Sequence, residues 1–333
     1  MVMSLEQTRL EVNPVLTNLA QGFVNPEAVM RLLYPFAEVE EYGGITASFD
    51  DSNYDEIDDD RDEDGEYNEV TDSYYGQPFK LNTKGLIYRL PDKRTKSRIV
   101  RLNWRSRAIN KLMTAGSLKH EIECARMATT PANYHPDCRL ILSAGGQLND
   151  GVDPDPLIRT GMRITARKTG VPPNVLLLGP LVWDYFAVLY ARNFAAGRAV
   201  NGQGLTPQLT PEILAGIYGF RRVAVCNAIK NIGGGRHDWV FGNHIVMGFT
   251  NPAALNSDRL PYRPNGTIDE TIPAFGYTYV YRGNPIVYQP WYDPYRSSTV
   301  FKMDFDRKAV HTGVERGSGL ITHGYGIFNA IAA

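Results

Sequence analysis

Between Asp50 and Asp72 thirteen carboxylates stand against one base, Arg61, a local charge of −12. Self-repulsion and a scarcity of apolar side chains leave such a segment unable to build a core of its own. It has to be carried by its flanks. EYGGITASF before it and EVTDSYYGQPFKLNTKGLIYRL after it are rich in β-branched and aromatic residues, with turn residues at Gly76-Gln77-Pro78 and Gly85. Strand, polar tip and strand make a long hairpin.

Asp60, Asp62, Asp64 and Gly65 match the opening of a calcium-binding EF-hand loop. Such a loop closes with a bidentate Glu at its twelfth position, which here is Thr71, and Glu69 falls two residues early. FDDSNYDEID, just upstream, also lacks the 3.6-residue period of an entering helix. The metal reading fails on register, and no cofactor is expected.

The whole chain carries a net charge of −1, which leaves +11 outside the acidic run. Much of this lies just downstream, where DKRTKSRIVRLNWRSR (92–107) has seven bases and one acid. From about 96 to 128 the pattern is helical: Ile99, Leu102, Ile109 and Met113 share one apolar stripe. Arg94, Arg98, Arg101 and Arg105 form a second stripe about a quarter turn around the same cylinder. Gly116 is a candidate break in this helix, and NYHP (133–136) ends it.

Residues 1–40 read as an extended arm with one short helix in NPEAVMRLLYPF, where Asn25 is the N-cap, Pro26 the first helical residue and Pro35 the stop. After the basic helix come DPLIRTGMRITARKTG as a helix ending at Gly170, VPPNVLLLGP as a buried strand, and LVWDYFAVLYARNF as a helix. TPEILAGIYGF is a helix capped by Thr210 with Pro211 at its first position, followed by RRVAVCNA as a strand. DWVFGNHIVMGF, FGYTYVYRG, NPIVYQPWY and STVFKMDFD continue as strands. The fold class is α+β. At 333 residues and 43% apolar content the chain is globular, and three unclustered cysteines, Cys124, Cys138 and Cys226, build neither a disulfide framework nor a four-ligand zinc site. MVMSLEQTRLEVNP lacks the pattern of a signal peptide and no apolar run spans a bilayer, so a soluble protein without membrane association is expected.

No catalytic constellation emerges. GGGRHDW (233–239) lacks the phosphate-loop pattern and reads as a loop, and the six histidines show no metal-ligand spacing. RGSG (316–319) is not a nucleophile elbow. His135 and Cys138 are close in sequence, but a thiol nucleophile needs a third, orienting group. The basic helix could meet phosphate, yet −12 beside it repels nucleic acid.

The order of segments resembles the major capsid proteins of tailed bacteriophages of the Hong Kong 97 type, through nearly the whole chain. NLAQGFVNPEAVMRLLYPFAEVEEYGG is similar to that family's arm, and LKHEIECARMATTPANY to the end of its long spine helix, with Glu121 and Ala125 in the matching places. TGVPPNVLLLGPLVWDYF is similar to a conserved-looking turn and strand of the family, with Gly170, Pro173, Asn174 and Gly179 matching.

The resemblance implies an N-terminal arm (1–40), an E-loop hairpin (41–90), a peripheral domain with the spine helix (91–136 and 275–333) and an axial domain (137–274). In such shells the E-loop lies over the neighbouring subunit. Asp58, Asp59, Asp60, Asp62, Glu63, Asp64 and Glu66 are then the tip of an intersubunit clasp, and Arg94, Arg98, Arg101 and Arg105 a surface for it. The resemblance further implies a structural, non-enzymatic protein. It assembles with itself into pentamers and hexamers around double-stranded DNA without sequence-specific binding, in the host cytoplasm and then in the virion. A portal protein and a decoration protein are expected partners. Only about forty residues precede the hairpin, so scaffolding is expected from a separate protein. Tyr42 to Phe79 contains no lysine, against the lysine–asparagine weld of the best-known member and for a non-covalent shell. The alternatives are an encapsulin-like cellular shell and a calcium-dependent or thiol enzyme.

Overall fold

The computed structural model describes residues 11–46, 48–49, 74–95, 103–198, 208–255, 274–315 and 317–331. Helix α1 (Pro14–Gln21) comes first among the described residues, followed by a 3-10 turn (Met30–Leu32) and β1 (Phe36–Val39). The hairpin comprises β2 (Gly43–Ile45), β3 (Ser48–Phe49), β4 (Tyr74–Tyr75) and β5 (Pro78–Lys80), and β6 (Gly85–Pro91) leads to the single turn α2 (Asp92–Thr95) and the long α3 (Trp104–Ala128). Next come β7 (Arg139–Ile141), α4 (Pro154–Thr169), β8 (Val175–Leu178), α5 (Pro180–Arg198), α6 (Pro211–Tyr218) and β9 (Arg222–Val225). An exposed ribbon, β10 (Ile229–Gly233) with β11 (Arg236–Trp239), precedes β12 (Ile245–Gly248). The chain closes with β13 (Gly276–Tyr281), β14 (Ile286–Val287), β15 (Trp291–Asp293), β16 (Ser298–Asp304), β17 (Arg307–His311) and β18 (Gly324–Phe328).

A mixed sheet of order β7-β18-β12-β8-β9 forms one core. Its central strands are buried at every residue, as the unbroken apolar run VLLL of β8 requires of a strand covered on both faces. Alternation sorts them. Leu176, Leu178, Ile245, Met247 and Ile327 join a cluster with Ile158, Val182 and Leu214, while Val175, Leu177, Val246 and Phe328 join one with Tyr34, Tyr134 and Phe275. A second sheet, β1-β13-β17, pairs β1 with β13 in parallel, Phe36 opposite Thr278. A third sets β16 between β15 and β14 along one edge and β6 along the other.

Helix α3 ties these layers together. Ala108, Ile109, Leu112 and Met113 pack on Phe301, Met303 and Phe305, and Cys124, Ala125 and Ala128 pack on Tyr34, Tyr134 and Phe275. Among the described residues no helix is long and apolar enough to cross a membrane.

The structure corrects four expectations. The arm holds a helix, α1, whose Asn13 cap accepts from the Leu16 amide at 3.0 Å ahead of Pro14. Asn25 starts no α-helix: its Oδ1 accepts from the Glu27 amide and its Nδ2 donates to Ser117 Oγ at 2.9 Å, so it staples the arm to α3. Gly116 does not break α3. It is buried against Met303, and its carbonyl accepts from Arg307 Nη2 at 2.9 Å. Finally, GGGRHDW is part of a hairpin, with Gly233, Gly234 and Gly235 at φ between +61 and +93 turning β10 into β11.

Candidate functional site

The hairpin predicted from the acidic segment's flanks is present. β2 pairs with β5 and β3 with β4, both antiparallel, while Asp58, Asp59, Asp60, Asp62, Glu63, Asp64 and Glu66 lie outside the described residues. Its root is fastened to the β1-β13-β17 sheet by stacked aromatics, Tyr42 on Tyr281 (centroids 4.5 Å apart) and Phe79 on Tyr279 (4.2 Å), and by a hydrogen bond from Tyr42 Oη to Asp306 at 2.9 Å. Every residue of β2 is exposed, Ile45 by 70%.

Of the predicted arginine stripe, the two described members, Arg94 and Arg105, line different grooves. Arg98 and Arg101 lie outside the described residues; Arg94 is exposed on α2 and Arg105 exposed on α3. Asn103 caps α3, its side chain accepting from the Ser106 amide at 3.3 Å, and this cap resets the helical phase after α2. Arg94 therefore lines one groove and Arg105 another. The Arg94 groove, of ≈ 690 Å³, is walled by Tyr88, Trp104, Arg107, Asn110, Lys111 and Thr114. Trp104, Arg107, Lys111 and Thr114 follow the spacing of one helical face. Arg105 borders a groove with Val15, Leu16, Leu19 and Pro290, and Val15 is 74% exposed there. Sequence reasoning missed Trp104, Arg107 and Lys111, although their i, i+3, i+7 spacing was there to be read.

The matched motif residues have structural work. The Glu121 carboxylate, 2% exposed, accepts from the Val29 and Met30 amides at 3.0 and 3.1 Å and so caps the arm's 3-10 turn from 91 residues away. Burial pushes its pKa up to about 8, against the lowering effect of the Met30 and Val29 amides and of Arg31. Ala125 packs in the core beside it in sequence. Gly170 ends α4 in the left-handed region at φ +68. Asn174 clamps strand ends, its Nδ2 donating to the Thr250 carbonyl at 2.6 Å and its Oδ1 accepting from the Thr250 amide at 2.9 Å. At Gly179 a Cβ would sit 1.9 Å from the Gly242 carbonyl oxygen, so no side chain fits.

The thiols are free and buried. Burial raises the Cys138 thiol to about 11, and its sulfur faces the Thr322 carbonyl at 3.9 Å, while the His135 ring meets Lys168 Nζ at 2.9 Å. Cys124 lies 3.3 Å from His120 Nε2, yet burial pushes the thiol's pKa up and the imidazole's down. Both stay neutral at neutral pH. Neither pair holds the thiolate that nucleophilic attack or metal ligation needs.

No protein-family profile matches the chain. The major capsid protein of Burkholderia phage BcepMu is 26% identical over 278 residues, which cover 83% of this chain and 85% of that protein. A phage-related protein of Bordetella bronchiseptica RB50 superposes with a TM-score of 0.73 at 22% identity, over 97% of this chain and 99% of its own. A candidate capsid protein from a prophage of E. coli CFT073 superposes with a TM-score of 0.52 at 12% identity, over 97% and 99%.

Proposed function

We infer that this chain is a major capsid protein of the Hong Kong 97 type, a structural tile that self-assembles into the icosahedral head of a tailed double-stranded DNA bacteriophage. The observation that carries this reading is the end-to-end match: one α+β fold shared over 97% of the chain with a phage-related protein, and 26% identity over 83% of it with a phage major capsid protein. The tile is divided into an arm (1–40), a hairpin (41–90), a peripheral domain (91–136 and 275–333) and an axial domain (137–274).

Copies of the tile join as pentamers and hexamers, around duplex DNA that is enclosed without sequence-specific contacts. A separate scaffolding protein, a portal and a decoration protein complete the head, which is built in the host cytoplasm. The acidic hairpin of each copy lies across a neighbour. Two features support this clasp: Ile45, Pro78 and Lys80 on the hairpin's inner strands are exposed, and the −12 of the acidic run is matched by +11 in the rest of the chain. The contact is non-covalent, because Tyr42 to Phe79 supplies no lysine to weld. Exposed ion pairs contribute only about 0–1 kcal/mol each. Repetition over a closed shell makes such small terms sufficient.

Size-exclusion chromatography at about 0.1 M and about 1 M salt, where the Debye length falls from roughly 10 to 3 Å, tests the reading. Megadalton particles at the lower salt are expected, with nucleic acid inside when particles are purified from infected cells. A stable monomer under all conditions would refute it, and particles filled with protein cargo would make the shell a cellular compartment instead.

A further inference from the structure

We propose that Asp306 is the positioning residue of the hairpin, a single carboxylate that holds both of its legs and sets the direction in which it leaves the body. Asp306 lies between β16 and β17 and is 5% exposed. Its Oδ2 accepts from Tyr42 Oη at 2.9 Å, on the leg that enters β2. Its Oδ1 accepts from the Lys84 amide at 2.8 Å, on the leg that leaves β5 for β6. A carboxylate offers two acceptor oxygens, so one side chain serves both donors. The legs are also zipped to each other, the Leu81 amide donating to the Tyr42 carbonyl at 2.8 Å.

The body side of this contact is held from several directions. The Asp306 carbonyl accepts from the Tyr281 amide at 3.2 Å and its amide donates to Asn284 Oδ1 at 3.4 Å, while Arg307, next in the chain, reaches the Gly116 carbonyl of α3. The return leg is held as firmly. Beyond its amide bond to Asp306, the Lys84 carbonyl accepts from the Phe305 amide at 2.7 Å, and its Nζ pairs with Glu123 of α3. The outgoing leg has less. Tyr42 is 45% exposed and meets the body through its ring, stacked on Tyr281, and its hydroxyl. Stacked rings tolerate a range of offsets, whereas a hydrogen bond weakens steeply once its angle falls below about 120°. The stack therefore sets how far the hairpin stands from the sheet, and the Tyr42–Asp306 bond sets its angle. The same bond pushes the Tyr42 phenol up to about 12, so the hydroxyl keeps the proton it donates. In a shell every copy has to present its hairpin at one angle, and a spread of angles becomes a spread of particle sizes. This last step rests on the shell reading; the latch itself does not.

The test is Tyr42→Phe, which keeps the ring and removes the hydroxyl alone. Full-length chain with nitroxides at Ile45→Cys and Tyr295→Cys, both exposed positions, is mixed into an excess of unlabelled chain, and the distance within one copy is read by double electron–electron resonance. The three native cysteines are buried and leave the label to the introduced pair. One narrow distribution is expected with Tyr42 in place. In Tyr42→Phe the population outside it should grow about tenfold or more, the factor that a hydrogen bond to a charged acceptor carries, with thermal melts little changed. Asp306→Ala should reproduce the spread, and Tyr292→Phe, which removes another exposed phenol hydroxyl, should not. An unchanged distribution in Tyr42→Phe, or an equal spread in Tyr292→Phe, overturns the latch. Electron micrographs of Tyr42→Phe particles should show mixed diameters, and a wild-type spread of sizes beside broadened distances overturns the latch's part in assembly. A wild-type chain that never assembles refutes the shell reading and leaves the distance measurement to decide the latch.

Discussion

The five-stranded sheet and the hairpin satisfy their backbones in the same way, strand against strand, and differ in what covers them. In the sheet, β8, β12 and β18 are buried at every residue and each face has its own apolar cluster. In the hairpin, β2 is exposed throughout and β5 at two residues of three, and among the described residues the Tyr42–Tyr281 and Phe79–Tyr279 stacks and the Tyr42–Asp306 hydrogen bond tie it to the body. An isolated two-stranded hairpin is marginal in water. The contrast separates a part of the molecule that its own chain covers from a part that it leaves exposed among the described residues.

Substitutions in the two regions should therefore part company. Phe275→Ala, in the core where the ring meets Tyr34 edge-on at 5.4 Å, should destabilise the unassembled chain by about 3–5 kcal/mol in denaturant titrations. An effect below about 1 kcal/mol would mean that the two clusters are not the chain's main store of stability.

Smaller effects come from pH, again in the covered region. Burial holds His311 and His323 down to about 4, below their unfolded value of about 6.5. Their neutral rings stabilise the fold fully above pH ~6.5, and this contribution drains as pH falls through about 4. Glu121, raised to about 8, acts in the opposite sense: its contribution is complete below the ordinary carboxylate pKa and is lost as pH rises through about 8. Thermal melts across that window should show a maximum on the acid side of pH 8 and a decline at each end, on the order of 1–3 kcal/mol. Glu121→Gln, which retains an acceptor for the Val29 and Met30 amides, should flatten the alkaline decline alone; an unchanged decline would remove Glu121 as its source. The smallest effect falls on the hairpin. Ile45→Ser should change monomer stability by less than about 0.5 kcal/mol, while particles made from it dissociate at lower denaturant; equal particle stability would show that nothing covers Ile45 in the shell.

The regions also differ in how readily their sequences disclose them. VLLL states its two-sided burial, Thr210-Pro211 and Gly170 state helix ends, and the strands around the acidic run state a hairpin, because each signal is local. What escaped needed distant partners or the correct phase. Asn25 looks like a cap until Ser117 takes its amide, and Glu121 is the cap of a turn 91 residues earlier. Gly116 resembles a breaker until Met303 and Arg307 occupy its side of the helix. The arginine stripe assumed one cylinder from Arg94 to Arg105, but the Asn103 cap divides that cylinder and assigns Arg107 and Lys111, not Arg105, to the groove with Arg94. The α1 helix was legible in the same Asn-Pro signature that was credited at Asn25-Pro26.

The parallel pairing of β1 with β13 places residues 36–39 against 278–281, so the sheet that roots the hairpin cannot close until residue 281 has left the ribosome, more than 200 residues after β1. At a synthesis rate of about 5–20 residues per second, that interval is on the order of 10–50 s. Nascent chains thus spend the interval without β13, and the Tyr42–Tyr281 and Phe79–Tyr279 stacks that hold the hairpin's root form only after residue 281 has been made.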